Sequence, residues 1–255
     1  MYRPRIIPVL LLKKGGLVKS IKFKEHRYIG DPINAVKIFN DLKADELAFI
    51  DIDATNENRT ISTEFVKNVG EEANMPFLVG GGIRTLEQIR IIIEAGAEKV
   101  ILNTIAGENP SFVNEAAREF GSSTIMVCID VKKTWLGKEA VWIRCGKKQL
   151  DFTPAVFAKE IENAGAGEIL LQSIEHDGTM LGYNIPLIQK VAENITIPIT
   201  ILGGAGNLQH MTDVLKSTPV NGLAAGSMFI YHGPRHAVLV NYPEGIEKDK
   251  LFFQS

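Results

Sequence analysis

Eight short apolar runs, an internal repeat and a chain length suited to eight units predict an α/β fold, a single (β/α)8 TIM barrel built from two similar half-barrels. The repeat is explicit. Arg5-Ile-Ile-Pro-Val-Leu-Leu11-Leu-Lys13 lines up with Thr124-Ile-Met-Val-Cys-Ile-Asp130-Val-Lys132 at an offset of 119 residues. Phe49-Ile-Asp51 matches Leu171-Gln-Ser173, Gly80-Gly81-Gly82 matches Gly203-Gly204-Ala, and Asn103-Thr104 matches Gly226-Ser227. Repetition of this kind governs the architecture. Dividing 255 residues by eight leaves about 32 per unit, enough for strand, loop and helix.

The elements follow in order. Apolar runs at Arg5–Leu11, Glu46–Asp51, Pro76–Val79, Lys99–Asn103, Thr124–Asp130, Glu168–Ser173, Pro198–Leu202 and Gly222–Ala225 are continuous rather than alternating, as suits parallel strands covered on both faces. Helical patterns between them include Pro32–Leu42, Leu86–Glu94, Pro110–Phe120, Pro154–Asn163 and Leu208–Leu215. Pro32, Pro110 and Pro154 fit the first helical turn, behind Asp31, Asn109 and Thr153 as caps. The whole chain, 1–255, reads as one barrel with half-barrels near 1–120 and 121–245. A dinucleotide-binding sheet is excluded, because the glycine runs follow the third and seventh strands and miss the required spacing. Two excursions interrupt the alternation: lysine-rich Lys13–Gly30, and Lys132–Asp151 with a hairpin strand at Ala140–Arg144. Both follow strand C-termini, the face on which such barrels build active sites.

Composition narrows the function. An apolar content of 45% with 23% charged residues fits a globular enzyme, and a net charge of −2 gives nucleic acid no electrostatic footing. Two cysteines, Cys128 and Cys145, have no metal-ligand spacing and suggest a reducing cytoplasm. No run has the length of a signal-peptide core or a membrane span. No metal and no cofactor are expected.

Three constellations carry chemistry. Gly81 and Gly82 with Asn103 and Thr104, then Gly203 and Gly204 with Gly226 and Ser227, end neighbouring strands in symmetric positions. Each set serves either as tight turns or as a cradle where backbone and helix N–H groups meet an anion. Two sets facing each other favour a ligand with a phosphate at each end. Asp51, Asp53, Asp130 and Asp177 gather at the same mouth. Asp177-Gly178 also reads as a turn, and Asp51 and Asp53 as caps or as partners of Lys13 or Lys19; two carboxylates alone are a weak magnesium signal. Asp130, ending an apolar strand, requires partners or a task. At the opposite end Arg5, Glu46, Lys99 and Glu168 each begin a strand. Physics alone favours a stabilising charge cluster over a gated opening. Cys128 lies two residues before Asp130, on the same face if the strand is regular, but a buried strand cysteine is ordinarily inert core. His176 is the best-placed histidine; His26, His210, His232 and His236 form no metal set.

The chain resembles the HisF-type barrel, the cyclase subunit of imidazole glycerol phosphate synthase, along nearly its whole length. The resemblance rests on Arg5-Ile-Ile-Pro, Gly30-Asp31-Pro32, Asp45-Glu46-Leu47, Val79-Gly-Gly-Gly-Ile83, Gly96-Ala97-Glu98-Lys99-Val100, Asn109-Pro110-Ser111, Gly165-Ala-Gly-Glu-Ile-Leu-Leu171, Asp177-Gly178-Thr179 and Gly203-Gly-Ala-Gly206. It implies ammonia received from a HisH-type glutaminase on the barrel floor and spent on a bis-phosphorylated ribulosyl-formimino nucleotide. Gly82, Asn103, Thr104, Gly178, Gly204 and Ser227 match the family's phosphate sites and Lys19 its loop lysine. Arg5, Glu46, Lys99 and Glu168 match its ammonia gate, with Glu98 near the partner. The family pairs two aspartates as general acid and base. Asp130 fills the second position, but Leu11 stands at the first, and Asp53 stands where the family has a small hydroxyl residue. A leucine moves no proton, and losing an acid or base costs about 10²–10⁴-fold. The expectation is a diverged paralogue delivering ammonia for sugar amidation by a separate amidotransferase in polysaccharide synthesis. The alternatives are a histidine-biosynthesis cyclase and a non-catalytic scaffold that activates the glutaminase.

Overall fold

The computed structural model describes residues 3–233 and 235–253. Eight parallel strands close on themselves: β1 (Arg5–Lys13), β2 (Leu47–Asp51), β3 (Phe77–Gly80), β4 (Lys99–Leu102), β5 (Ile125–Lys133), β6 (Glu168–Ser173), β7 (Ile199–Leu202) and β8 (Gly222–Ala225). Each pairs with the next, and β8 returns to β1, so the barrel has no open edge. Strand starts and ends lie within a few residues of the apolar runs. Among the described residues no helix is long and apolar enough to cross a membrane.

Continuous hydrophobicity arises because each strand buries both faces. Ile7, Val9, Ala48, Leu78, Ile101, Met126, Leu170 and Ala224 fill the barrel interior, while Ile6, Leu10, Leu47 and Phe49 face outward under the helices. The helices Leu86–Glu94 and Pro154–Asn163 fall where the pattern puts them, and Thr63–Glu72 and Ile185–Ala192 complete the alternation. Asp31 and Thr153 cap as expected, each accepting a backbone N–H three residues on. Asn109 does not. Its side chain accepts from Ser111 Oγ at 2.6 Å, and the helix Ser111–Phe120 starts behind Pro110 without a side-chain cap.

The repeat extends to strand register. Leu11 pairs with Ile50 where, in the other half, Asp130 pairs with Gln172. The excursion after β1 is a β-hairpin, Gly16–Ile21 against Lys24–Gly30. It reverses at Lys22 and Phe23, both left-handed with φ of 53° and 61°. The excursion after β5 contributes a strand at Glu139–Ile143, antiparallel to β5 as anticipated. Arg144 and Cys145 then leave the ladder at φ of 53° and 56°. The last element among the described residues is a helix, Gly245–Phe253.

Candidate functional site

Asp130 lies at the C-terminal end of β5, only 6% exposed. Asn103 Nδ2 donates to its Oδ2 at 3.2 Å, and Cys128 Sγ donates to its Oδ1 at 3.4 Å. Burial pushes the carboxyl up to about 7, against the pull of the Cys128 and Asn103 hydrogen bonds. A carboxyl poised near neutrality suits proton transfer in either direction. Cys128, buried beside a carboxylate, is itself pushed well above the usual thiol range, which suits a donor rather than a nucleophile. At the matching position of β1 stands half-buried Leu11.

Two recesses open at the mouth. The larger, about 320 Å³, contains Gly81, Gly82, Asn103 and Thr104, ringed by the cations Lys13, Arg84 and Lys147. The smaller, about 30 Å³, contains Gly178, Gly203, Gly204, Gly226 and Ser227. Leu11, Ser20 and Gln172 border both, so Leu11 sits on the partition between the two glycine sets. Packing alone already demands glycine here. A Cβ at Gly82 would meet Arg59 O at 1.8 Å, and one at Gly204 would meet Gly182 O at 2.0 Å. Both have left-handed backbones, with φ of 67° and 108°. The turn reading of these residues therefore holds, with the anion reading resting on it rather than competing.

Each excursion covers the opposite half. The first hairpin inserts Lys19, 4% exposed, whose Nζ donates to Val9 O at 2.6 Å. Burial pushes this ammonium down to about 7, with Asp177 pulling it back up. Asp177 holds the hairpin down: its Oδ2 accepts from Ser20 Oγ at 2.8 Å and from the Phe23 N–H at 3.3 Å. Burial raises its own carboxyl. The second excursion reaches the first glycine set. Its Arg144 N–H donates to Thr104 Oγ1 at 3.2 Å, and Cys145 Sγ donates to Ile52 O at 3.4 Å.

One pairing at the mouth changes. Asp51 pairs with neither Lys13 nor Lys19. It takes Arg59 at 2.5 Å and accepts the N–H groups of Asp53 and Ala54, a cap plus an ion pair eight residues away. Asp53 does pair with Lys13, at 3.8 Å. Arg59 and Lys147 escaped the sequence reading, and His26 and Cys145 were weighed only as metal ligands, although Cys145-Gly146-Lys147 carries a turn glycine beside a cation. His176 is tied to Ser173 Oγ at 2.8 Å. Among the described residues no group of three or more histidine, cysteine, aspartate or glutamate side chains is placed to hold a metal ion.

At the floor the four charges form a closed ring of alternating sign. Arg5 meets Glu46 at 2.8 Å and also Glu168; Lys99 meets Glu168 at 2.9 Å and Glu46 at 3.7 Å. Thr200 Oγ1 adds a hydrogen bond to Glu168 at 2.5 Å. Burial raises the Glu46 carboxyl in spite of its two cations. For Glu168 burial acts the same way, but Arg5, Lys99 and the Thr200 hydrogen bond outweigh it and its carboxyl falls. Glu98 is exposed beside the ring.

Fold and site together define a two-fold repeated barrel with paired glycine sets and the buried Asp130 carboxyl at its mouth and a charged ring closing its floor. Residues 5–234 match the family described as "Histidine biosynthesis protein". A protein of Leptospira borgpetersenii, provisionally named imidazole glycerol phosphate synthase subunit HisF, is 46% identical over 253 residues, 99% of this chain and 100% of that one. A Pseudomonas aeruginosa protein with the provisional name subunit hisF2 is 42% identical over 244 residues, 96% and 97% of the two chains. The imidazole glycerol phosphate synthase subunit HisF of Alkaliphilus metalliredigens is 38% identical over 232 residues, 91% and 92%. This chain belongs to the HisF-type family of imidazole glycerol phosphate synthase cyclase subunits.

Proposed function

We propose that this chain is a diverged HisF-type subunit that receives ammonia from a HisH-type glutaminase docked on its floor and releases it at the mouth. There a separate amidotransferase, one that aminates a sugar for polysaccharide synthesis, takes it up. The observation that carries the reading is the difference between β1 and β5: the buried carboxyl Asp130 faces a half-barrel whose matching side chain is Leu11. Cyclisation in this family uses two carboxylates; conduction of ammonia uses neither. The ring of Arg5, Glu46, Lys99 and Glu168 around an apolar interior fits conduction, since a small neutral molecule passes apolar walls that exclude hydrated ions. The resemblance to a hisF2 chain adds support.

A second reading, the histidine-biosynthesis cyclase, draws on the two glycine sets. In that reading they hold the two phosphates of the ribulosyl-formimino nucleotide, Gly81, Gly82, Asn103 and Thr104 at one end and Gly178, Gly203, Gly204, Gly226 and Ser227 at the other. Lys19, Asp51, Asp53 and Asp177 then support Asp130 around the reacting centre. The deciding assay gives purified protein that nucleotide with saturating ammonium salt at alkaline pH, comparing wild type with Leu11→Asp. External ammonia bypasses the glutaminase, so only the barrel's own chemistry is read. The expected result is negligible wild-type turnover and measurable turnover for Leu11→Asp. Substantial wild-type turnover would establish the cyclase instead.

A further inference from the structure

The mouth and the ring leave one buried polar network unused, at the floor between β1 and β2. Tyr242, 5% exposed, donates its hydroxyl hydrogen to Ile6 O at 2.9 Å and accepts the Asp45 N–H at 2.9 Å. Asp45 Oδ2 accepts the Ile6 N–H at 2.9 Å. Its Oδ1 takes Lys248 Nζ at 3.0 Å. That ammonium, on a side chain with 8% exposure, also donates to Lys43 O at 3.3 Å. It lies 4.3 Å from the centre of the Tyr242 ring.

The location of this network gives it a consequence. Ile6 follows Arg5, Asp45 precedes Glu46, and those two flanking side chains form one side of the floor ring at 2.8 Å. The β1–β2 ladder runs only from Val9 and Ala48 upward. Below that point no strand pairing spaces the two chains. At Ile6 and Asp45 the phenol and the carboxylate supply the donors and acceptors that a continued ladder would have supplied.

We propose that Tyr242, assisted by Lys248, is a positioning residue for the floor ring: through Ile6 and Asp45 the tail of the chain sets the separation of Arg5 from Glu46. With the ring taken as the ammonia entrance, on which this part rests, the tail governs how tightly that entrance closes. A protein docked on the floor beside the C-terminal helix then acts on the ring through this tether.

The test compares Tyr242→Phe with Leu251→Ala. Tyr242→Phe keeps the aromatic packing against Phe39 and Phe229 and removes only the hydroxyl. Leu251→Ala loosens the same tail without touching the network. Nuclear magnetic resonance on the isolated chain follows hydrogen exchange at the Ile6 and Asp45 amides and at the Arg5 guanidinium. Tyr242→Phe is expected to speed all three by roughly tenfold, the scale of one buried hydrogen bond. Leu251→Ala leaves the Arg5 signal near wild type. An unchanged Arg5 signal in Tyr242→Phe, or an equal response to Leu251→Ala, reduces the network to a tether for the helix and overturns the proposal. In a complex with the glutaminase, Tyr242→Phe also raises the share of ammonia escaping to bulk solvent per glutamine hydrolysed. If even the wild-type complex delivers no ammonia through the barrel, the reading of the ring fails, while the exchange experiment still decides the positioning role.

Discussion

The two halves of the barrel share a register, a glycine turn after the third strand of each half and an excursion after the first, yet they place opposite chemistry at equivalent positions. The second half carries Asp130 near the end of its first strand, buried and held by Asn103 and Cys128. The first half carries Leu11 at the matching place and supplies a cation instead, Lys19, delivered from the hairpin. Both ionisable groups are driven by burial to about 7, one up and one down. A duplicated backbone thus fixes where side chains arrive but leaves open what arrives, and function follows the side chain.

The sharpest way to break this asymmetry is Asp130→Asn. Any cyclisation supported by Leu11→Asp should fall about 10²–10⁴-fold in the double variant, with circular dichroism unchanged. Equal turnover in Leu11→Asp with and without Asp130 would remove Asp130 from the chemistry. The floor ring draws Arg5, Glu46 and Lys99 from the first half and Glu168 from the second. Lys99→Ala leaves two buried carboxylates sharing one arginine and is expected to cost about 3 kcal/mol in denaturant unfolding. It should also uncouple glutamine hydrolysis from ammonia delivery; full coupling would mark the ring as purely structural. Next come the paired glycines. Gly82→Ala and Gly204→Ala each drive a Cβ into a carbonyl, and each should destabilise by roughly 1–3 kcal/mol. Similar losses would sharpen the structural equivalence of the halves, whereas a large inequality would break it.

The smallest effect is a pair of opposed pH slopes. The Asp130 carboxyl titrates near 4 in the unfolded chain, so the stability from its raised folded value is full below that pH and is lost as pH rises to about 7. Lys19 titrates near 10.4 when unfolded, so its depressed folded value gives stability that is full above that pH and lost as pH falls to about 7. Asp130→Asn and Lys19→Met should each flatten one of these limbs in urea titrations. Loss of both limbs in either variant would mean that the two groups titrate as one unit.

The strands and the ring were legible because their signals are local. An apolar run of strand length between turns has few alternatives, and a charge at the start of such a run stands out. The hairpin after β1 left no such mark. Its two-residue reversal uses Lys22 and Phe23 at positive φ, where glycine or asparagine would have announced a turn. Arg59 and Tyr242 were illegible for another reason. Their partners, Asp51, Asp45 and Ile6, are chosen by three-dimensional proximity, up to 236 residues apart in sequence, and no periodicity encodes that. At the mouth the same limit hid Lys147 and the position of Cys145, which arrive from an excursion, while Asp130 was visible as a carboxylate that interrupts hydrophobicity.

The crossing of the two excursions has a consequence for how such a chain can be taken apart. Each half reaches over the mouth of the other: Ser20 and Phe23 donate to Asp177, while Arg144 and Cys145 donate to Thr104 and Ile52. A fragment cut between the halves would therefore carry bare turns and an orphaned arm. Two such fragments have reason to recombine with each other rather than each with a copy of itself, since a homodimer of the first half would offer Ser20 and Phe23 no Asp177.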